Sequence, residues 1–296
     1  MRITRRSFLA SATACLPARL WARTEIEFGG RQVLSLSDGH LELPMEFIFG
    51  TIPEEERSAI LTAHGLSTTG PLIAPCNVTL LRDGDRITLF DVGAGPDFQT
   101  SAGQLFQALE AAGVTPEQIT DVVFTHAHPD HLWGLLDDFD DLRFPQARHF
   151  IGRIEYDYWT DPATVETIGP ARTAFAVGAA RRLEVIDEIA IRIEDGDQLD
   201  GGITALLTPG HTPGHLAFDL GGLLVTGDCI GNGHVSFDRP AALLGSDQDP
   251  QLAADTRVAL MRRLAEAGTP ILGFHLPAGG IGKIVSAGAG YRFETA

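Results

Sequence analysis

The segment Thr125-His126-Ala127-His128-Pro129-Asp130-His131 puts three imidazoles and a carboxylate into six residues. That density of donors is metal chemistry, because neutral imidazole and carboxylate together suit Zn²⁺ and comparable divalent ions. From extended backbone His126 and His128 project the same way, whereas Asp130 and His131 fall on the turn that follows and face a second point nearby. One short loop can therefore serve two ions. No thiolate closes the set, so a position stays open to water.

Three further donors each close an apolar run. His211 stands in Leu206-Leu-Thr-Pro-Gly-His-Thr-Pro-Gly-His215, Asp228 ends Leu223-Leu-Val-Thr-Gly-Asp, and His275 ends Ile271-Leu-Gly-Phe-His. Singly, each reads as an ordinary turn residue. Four such elements at successive strand ends read as one site.

The elements that must position them follow from periodicity and turn chemistry. Val33 to Leu36 reads as a strand, and Pro53 followed by three Glu opens a helix whose acids suit its N-terminal dipole. Asn77 to Leu81 and Arg86 to Phe90 flank Asp83-Gly84-Asp85, a hairpin signal. Residues 101 to 112 place Leu105, Phe106 and Leu109 on one helical face and end at Gly113. Asp121 to Thr125 is a β-branched strand that runs straight into the histidine cluster. Further strands are expected near 148–151, 189–193, 203–207, 215–219, 223–226 and 270–274, with helices near 153–160 and 252–266. The pattern predicts an α/β fold of two sheets with helices outside, in a single domain over residues 23–296.

Composition bounds the function. The chain has 296 residues, 22 Lys plus Arg against 39 Asp plus Glu, a formal charge of −17, and 3 Cys. Nucleic acid and anionic lipid both call for clustered Lys and Arg, so neither is an expected partner. Three cysteines make no disulfide scaffold; Cys76 and Cys229 are expected as small buried apolar residues. Residues 1–22 open with basic residues, pass through a short apolar stretch and end on small residues, the layout of an export signal. Arg5-Arg6 followed by Ser-Phe-Leu resembles a twin-arginine signal, which implies the twin-arginine export machinery as a partner and a periplasmic or secreted destination. Its removal takes away four Arg and no acid, moving the formal charge from −17 to −21.

The order HAHPDH, GHTPGH, Gly-Asp and a late His resembles the metallo-β-lactamase superfamily over nearly all of the chain after the signal. The resemblance implies a four-layer αβ/βα sandwich of two mixed β-sheets flanked by helices, with two divalent ions, Zn²⁺ by preference, at one edge. It implies that His126, His128 and His211 hold one ion, that Asp130, His131 and His275 hold the other, and that Asp228 bridges them. Asp91, in Phe90-Asp-Val-Gly-Ala-Gly, matches the family's strand-end Asp and would buttress the site from behind.

A finer resemblance is to the methyl parathion hydrolase-like branch, through Phe237-Asp-Arg-Pro, Tyr156-Asp-Tyr-Trp159 and Gly282-Lys-Ile-Val with Gly290-Tyr-Arg-Phe293. Ala278-Gly279 departs from that branch, which usually carries Phe-Pro there.

Two ions about 3.5–4 Å apart would share a hydroxide nucleophile, because coordination lowers the pKa of water toward about 7. Asp130 would shuttle a proton to the leaving group. The expected activity is hydrolysis of ester, lactone or phosphotriester bonds in a small molecule. The alternatives are β-lactam or thioester hydrolysis, or a metal-bearing binding module without turnover. Gly231 stands where one group of acyl-homoserine lactonases has tyrosine, which weighs against dedicated activity of that type. A homodimer is compatible with the sequence. Trp133, Trp159, Phe237 and His234 are candidates for the wall of a substrate cleft. His40, His64 and His149 are expected in turns or on strand surfaces, and His215 in support of the loop carrying His211.

Overall fold

The computed structural model describes residues 23–295. The export signal expected at 1–22 lies outside them. One sheet contains β1 (Arg23–Phe28), β2 (Arg31–Leu43), β3 (Leu72–Asp83), β4 (Arg86–Phe90), β5 (Asp121–Val123), β6 (Arg148–Gly152) and β7 (Ala190–Ile193), hydrogen-bonded in sequence order. The other contains β8 (Gln198–Leu199), β9 (Ile203–Leu207), β10 (Leu216–Asp219), β11 (Leu224–Gly227), β12 (Pro270–Gly273), β13 (Ile281–Ala287) and β14 (Gly290–Thr295), likewise side by side in order. Both are mixed: β4 to β7 run parallel, as do β11 and β12, and the remaining pairs are antiparallel.

The helices are α1 (Met45–Phe49), α2 (Glu54–Ala63), α3 (Leu105–Ala111), α4 (Pro129–Leu132), α5 (Arg153–Thr160), α6 (Pro162–Thr167), α7 (Thr173–Val185), α8 (Val235–Asp238) and α9 (Pro250–Ala267). Alternation along the strands builds the layers. Leu89, Val122 and Ile151 face α3, α5 and α7, while their neighbours Phe90, Val123 and Phe150 face the opposite sheet. On that second sheet Phe218, Val225 and Leu272 meet them, and Ala217, Leu224 and Ile271 turn outward onto Leu260, Met261 and Leu264 of α9. The order is helix, sheet, sheet, helix, the expected fold class. Among the described residues no helix is long and apolar enough to cross a membrane.

The hairpin at Asp83-Gly84-Asp85 forms as β3 paired with β4, with Gly84 at φ 60°. The helix expected over 101–112 is shorter, Leu105–Ala111, because its first residues make a loop held by the buried Asp38 carboxylate through the N–H groups of Gly103 and Leu105. α7 lacked a start signal in the sequence and carries Gly178 in its interior. A Cβ there would stand 2.3 Å from the Trp133 indole, so close packing rather than propensity explains the glycine. His149 corrects another expectation: it lies buried in β6 rather than on a strand surface, with neither ring nitrogen hydrogen-bonded.

Candidate metal centre

Parallel strands put their C-terminal ends on one edge, and the donors sit there. The sheets are stitched together at this edge: the Leu216 N–H donates to the Thr125 carbonyl at 2.8 Å, and the Asn77 side chain donates to the carbonyls of Phe274 and Leu276, each at 2.8 Å. His126 and His128 follow β5, Asp130 and His131 form the first turn of α4, His211 follows β9, Asp228 follows β11 and His275 follows β12. Pro129 begins α4, where a missing N–H is no loss.

The seven residues converge. Donor atoms of His126, His128 and His211 lie within 4.8 Å of one another, with His211 Nε2 2.9 Å from His128 Nδ1. His275 Nε2 stands 3.2 Å from both Asp130 Oδ2 and Asp228 Oδ2. His131 Nε2 is 3.4 Å from Asp228 Oδ1 and 3.5 Å from Asp130 Oδ2. Asp228 Oδ2 also reaches within 3.5 Å of His211 Nε2, so this carboxylate stands between the two groups. His215 fixes it in place by accepting the Asp228 N–H at 2.9 Å, its other nitrogen meeting the Thr208 hydroxyl at 2.8 Å. Gly227, at φ 50°, leaves room for that ring, which a Cβ would approach to 2.6 Å.

Four buried donor atoms at the centre have no hydrogen-bond partner: His126 Nε2, His131 Nε2, Asp130 Oδ2 and Asp228 Oδ1. Stranding so many polar atoms is costly unless something else satisfies them. The outward nitrogens, in contrast, are engaged. His126 Nδ1 meets the Thr125 hydroxyl at 3.0 Å, His131 Nδ1 the Asp91 carboxylate at 2.8 Å, His211 Nδ1 the Asp247 carboxylate at 3.0 Å, and His275 Nδ1 the Pro75 carbonyl at 2.8 Å. Anchoring one nitrogen leaves the lone pair of the other facing inward, as ligation of divalent ions requires.

Asp91 adopts φ 64°, a conformation strained for a side chain bearing a Cβ. Its carboxylate compensates by accepting the Thr125 N–H at 2.7 Å and the Thr125 hydroxyl at 2.8 Å as well as meeting His131. Charge divides the site. Burial, reinforced by neighbouring imidazoles, holds His126 and His128 well below the ordinary histidine range. Burial also opposes charge on His131, but Asp130, Asp228 and Asp91 outweigh it and push this ring up to about 10. Burial would raise Asp228 too, yet His275 and His131 hold it well below the ordinary carboxylate range.

Two buried carboxylates gave no signal in the sequence. Glu155 accepts the Ala127 N–H at 2.9 Å, the Trp159 indole N–H at 2.6 Å, the Thr212 hydroxyl at 2.7 Å and the Gly214 N–H at 3.0 Å, clamping the His126–His128 loop to the His211 loop. Asp247 holds His211 and is itself held by Arg257 at 3.2 Å.

Five of the donors, His128, Asp130, His211, Asp228 and His275, border a cavity of about 350 Å³ whose apolar wall includes Leu41, Phe47, Ile48, Phe98 and Phe175. The four residues expected to line it do not. Trp159 is fully buried behind His128, 5.7 Å between rings. Trp133 packs edge-on behind Phe98 and beneath Arg182. Phe237 points into the layer between the second sheet and α9, against Phe293. His234 stacks on Phe49 and borders a neighbouring cavity of about 170 Å³, which shares Gly231 and His275 with the first. Their association with the ligand motifs suggested these side chains, but Trp133, Trp159 and Phe237 stand on helical turns that send them into the packing layers, and His234 precedes α8.

A family model described as the metallo-beta-lactamase superfamily matches residues 73–265, well over half of the chain. Among curated proteins, the N-acyl homoserine lactonase AttM of Azorhizobium caulinodans is 31% identical over 112 residues, 37% of this chain and 39% of that protein. The chain thus matches well under half the length of that relative. The metallo-beta-lactamase domain-containing protein 1 of Xenopus laevis is 27% identical over 210 residues, 69% of this chain and 73% of its own. Among solved structures, the hydrolase AbOPH of the beta lactamase superfamily superposes with a TM-score of 0.87 at 27% identity, covering 94% of this chain and 98% of that one. AidC, a dizinc quorum-quenching lactonase in complex with a product, superposes with a TM-score of 0.86 at 25% identity, covering 93% and 97%.

Proposed function

The chain belongs to the metallo-beta-lactamase superfamily, and from that premise we propose that it is an exported, periplasmic hydrolase that opens lactones and related carboxylic or phosphoric esters with two divalent ions. It is a hydrolase of this fold. The observation that carries the reading is the convergence of seven buried donors, four of them with orphaned atoms and five of them bordering an apolar cavity. His126, His128 and His211 would hold one ion, Asp130, His131 and His275 the other, and Asp228 both. Bound divalent ions supply Lewis acidity and bring the pKa of water down to about 7, for which zinc suits this imidazole and carboxylate set.

The chain's own residues do the rest. Phe47, Phe98 and Phe175 give the cavity apolar walls that favour a substrate with hydrocarbon on it and exclude bulk water from the reacting carbonyl. Asp130 borders the cavity and stands against His275. It would carry a proton to the departing oxygen. Likeness to AttM and AidC supports lactones as the first substrate class to try. Gly231, which borders the cavity in place of a tyrosine, supports keeping phosphotriesters and simple esters in the same panel. The basic start of the chain with Arg5-Arg6 supports twin-arginine export.

The test is metal analysis of the purified protein followed by turnover on a lactone, ester, phosphotriester and β-lactam panel, with His128→Ala as control. Two ions per chain and turnover of the lactone or an ester, lost in the variant, are expected. Fewer than one ion per chain overturns the metal reading. Full metallation with no turnover on any substrate overturns the hydrolase.

A further inference from the structure

β3 brings one more donor to the carboxylate end of the site. Cys76 is fully buried, and its sulfur lies with donor atoms of Asp130 and His275 in a triad whose members are all within 4.8 Å of one another. Asp130 is itself only 5% exposed, and its Oδ2 has no hydrogen-bond partner. Away from the site the thiol has little to hold it, a long contact to the Ala74 carbonyl at 3.9 Å, whereas within the site it faces His275. The neighbouring backbone is firmly placed, with Asn77 hydrogen-bonded to Phe274 and the Pro75 carbonyl accepting from His275. Cys76 thus sits on rigid strand between two residues tied to the strand end that carries His275.

We propose that Cys76 is a sulfur ligand of the ion held by Asp130, His131 and His275, making that position selective for thiophilic divalent ions such as Zn²⁺, Co²⁺ or Cd²⁺ over Mg²⁺, Ca²⁺ or Mn²⁺. This inference rests on the two-ion reading above. Thiolate favours the former group because it is soft, and a bound ion deprotonates a coordinating thiol outright. As the sulfur–metal bond forms, the thiol proton leaves to solvent and no electrons change hands. The His126, His128 and His211 position has no sulfur in its donor triad, so the two positions differ in kind.

The full chain, stripped with a chelator and reloaded with Co²⁺, tests this. With two ions bound, the near-ultraviolet spectrum should carry a thiolate-to-cobalt charge-transfer band. Cys76→Ser should abolish the band and weaken the second ion alone, by about tenfold or more, whereas Cys229→Ser should keep it. A ¹¹³Cd NMR spectrum of the wild-type chain, which needs no variant to fold, should show one resonance moved downfield by sulfur beside one in the nitrogen and oxygen range. Two bound ions with no such band or resonance overturn the sulfur ligand and leave the two-ion reading standing. A band that survives Cys76→Ser also overturns it. Fewer than one ion per chain overturns both readings together.

Discussion

At one end of the donor cluster His126, His128 and His211 bring three imidazoles together; at the other, His131 and His275 stand among Asp91, Asp130 and Asp228. Without ions the two ends answer burial differently. At the imidazole end His126 and His128 refuse protons, since burial and the neighbouring imidazoles both oppose a charge on either ring. The carboxylate end keeps them, because His131 and His275 are each faced by carboxylates. One end is therefore poised as free lone pairs, while the other is an internal set of ion pairs in which protons stand where an ion would. The strongest break in that comparison is at Asp228, which touches both ends. Asp228→Asn is expected to lose both ions and to lower kcat/KM on the order of 10³-fold. Metal analysis beside steady-state kinetics decides it, and a variant that kept one ion at full occupancy would assign Asp228 to a single end.

Acidity separates the ends without any change in ligand. In the chelated protein His131 keeps its proton until about pH 10, whereas the unfolded chain releases it near pH 6.5. Its contribution to stability is complete below about pH 6.5 and is lost as pH rises through about 10, a change of a few kcal/mol at most. The imidazole end runs the other way: the unfolded chain takes up protons below about pH 6.5 that buried His126 and His128 refuse, so stability falls as pH drops from there. Urea unfolding of chelated protein across pH 5 to 10 should show both slopes. His131→Gln should make the alkaline one shallower, His275 supplying the remainder, and leave the acidic one. A single slope of one sign across the range would mean the ends are electrostatically alike.

The sequence disclosed these ends unequally, for physical reasons. His126 to His131 is legible because its donors are neighbours along the chain, and short range is where periodicity speaks. His211, Asp228 and His275 are legible only as a set, since each is one polar residue closing an apolar run. The sheets followed from the same runs, because alternation and β-branching are local properties of a half-buried strand. Edge strands were harder: β1 and β14 mix charged residues into the alternation, and α7 has neither a capping residue nor an unbroken helical face. The supports Glu155, Asp247 and Asp38 were silent, since a carboxylate in a helix, a loop or an irregular stretch of strand looks solvent-exposed until the tertiary fold closes over it. The cavity wall was misread for a related reason. Phe47, Phe98 and Phe175 come from segments remote from the histidine motif, whereas Trp133 and Phe237 lie close to ligands in sequence and face away.

The smallest expected effect comes from the two carboxylates behind the ligands, and it separates the ends most cleanly. Asp91 holds His131, and Asp247 holds His211; neither touches the other's imidazole. Replacing either by Asn keeps the shape and removes the charge that fixes the outward nitrogen, a change that lowers metal affinity about 10- to 100-fold. Asp247→Asn should therefore weaken only the ion at the imidazole end, and Asp91→Asn only the ion at the carboxylate end. Asp91→Asn carries a second cost, because its φ of 64° is held by acceptor bonds from the Thr125 N–H and hydroxyl that an amide reproduces only in part. Its thermal unfolding should fall below that of Asp247→Asn even after chelation. Stepwise titration of each stripped variant with Zn²⁺ reads the two affinities apart. If both variants weakened both ions equally, the site would behave as one coupled cluster and the division by charge would have no consequence for binding.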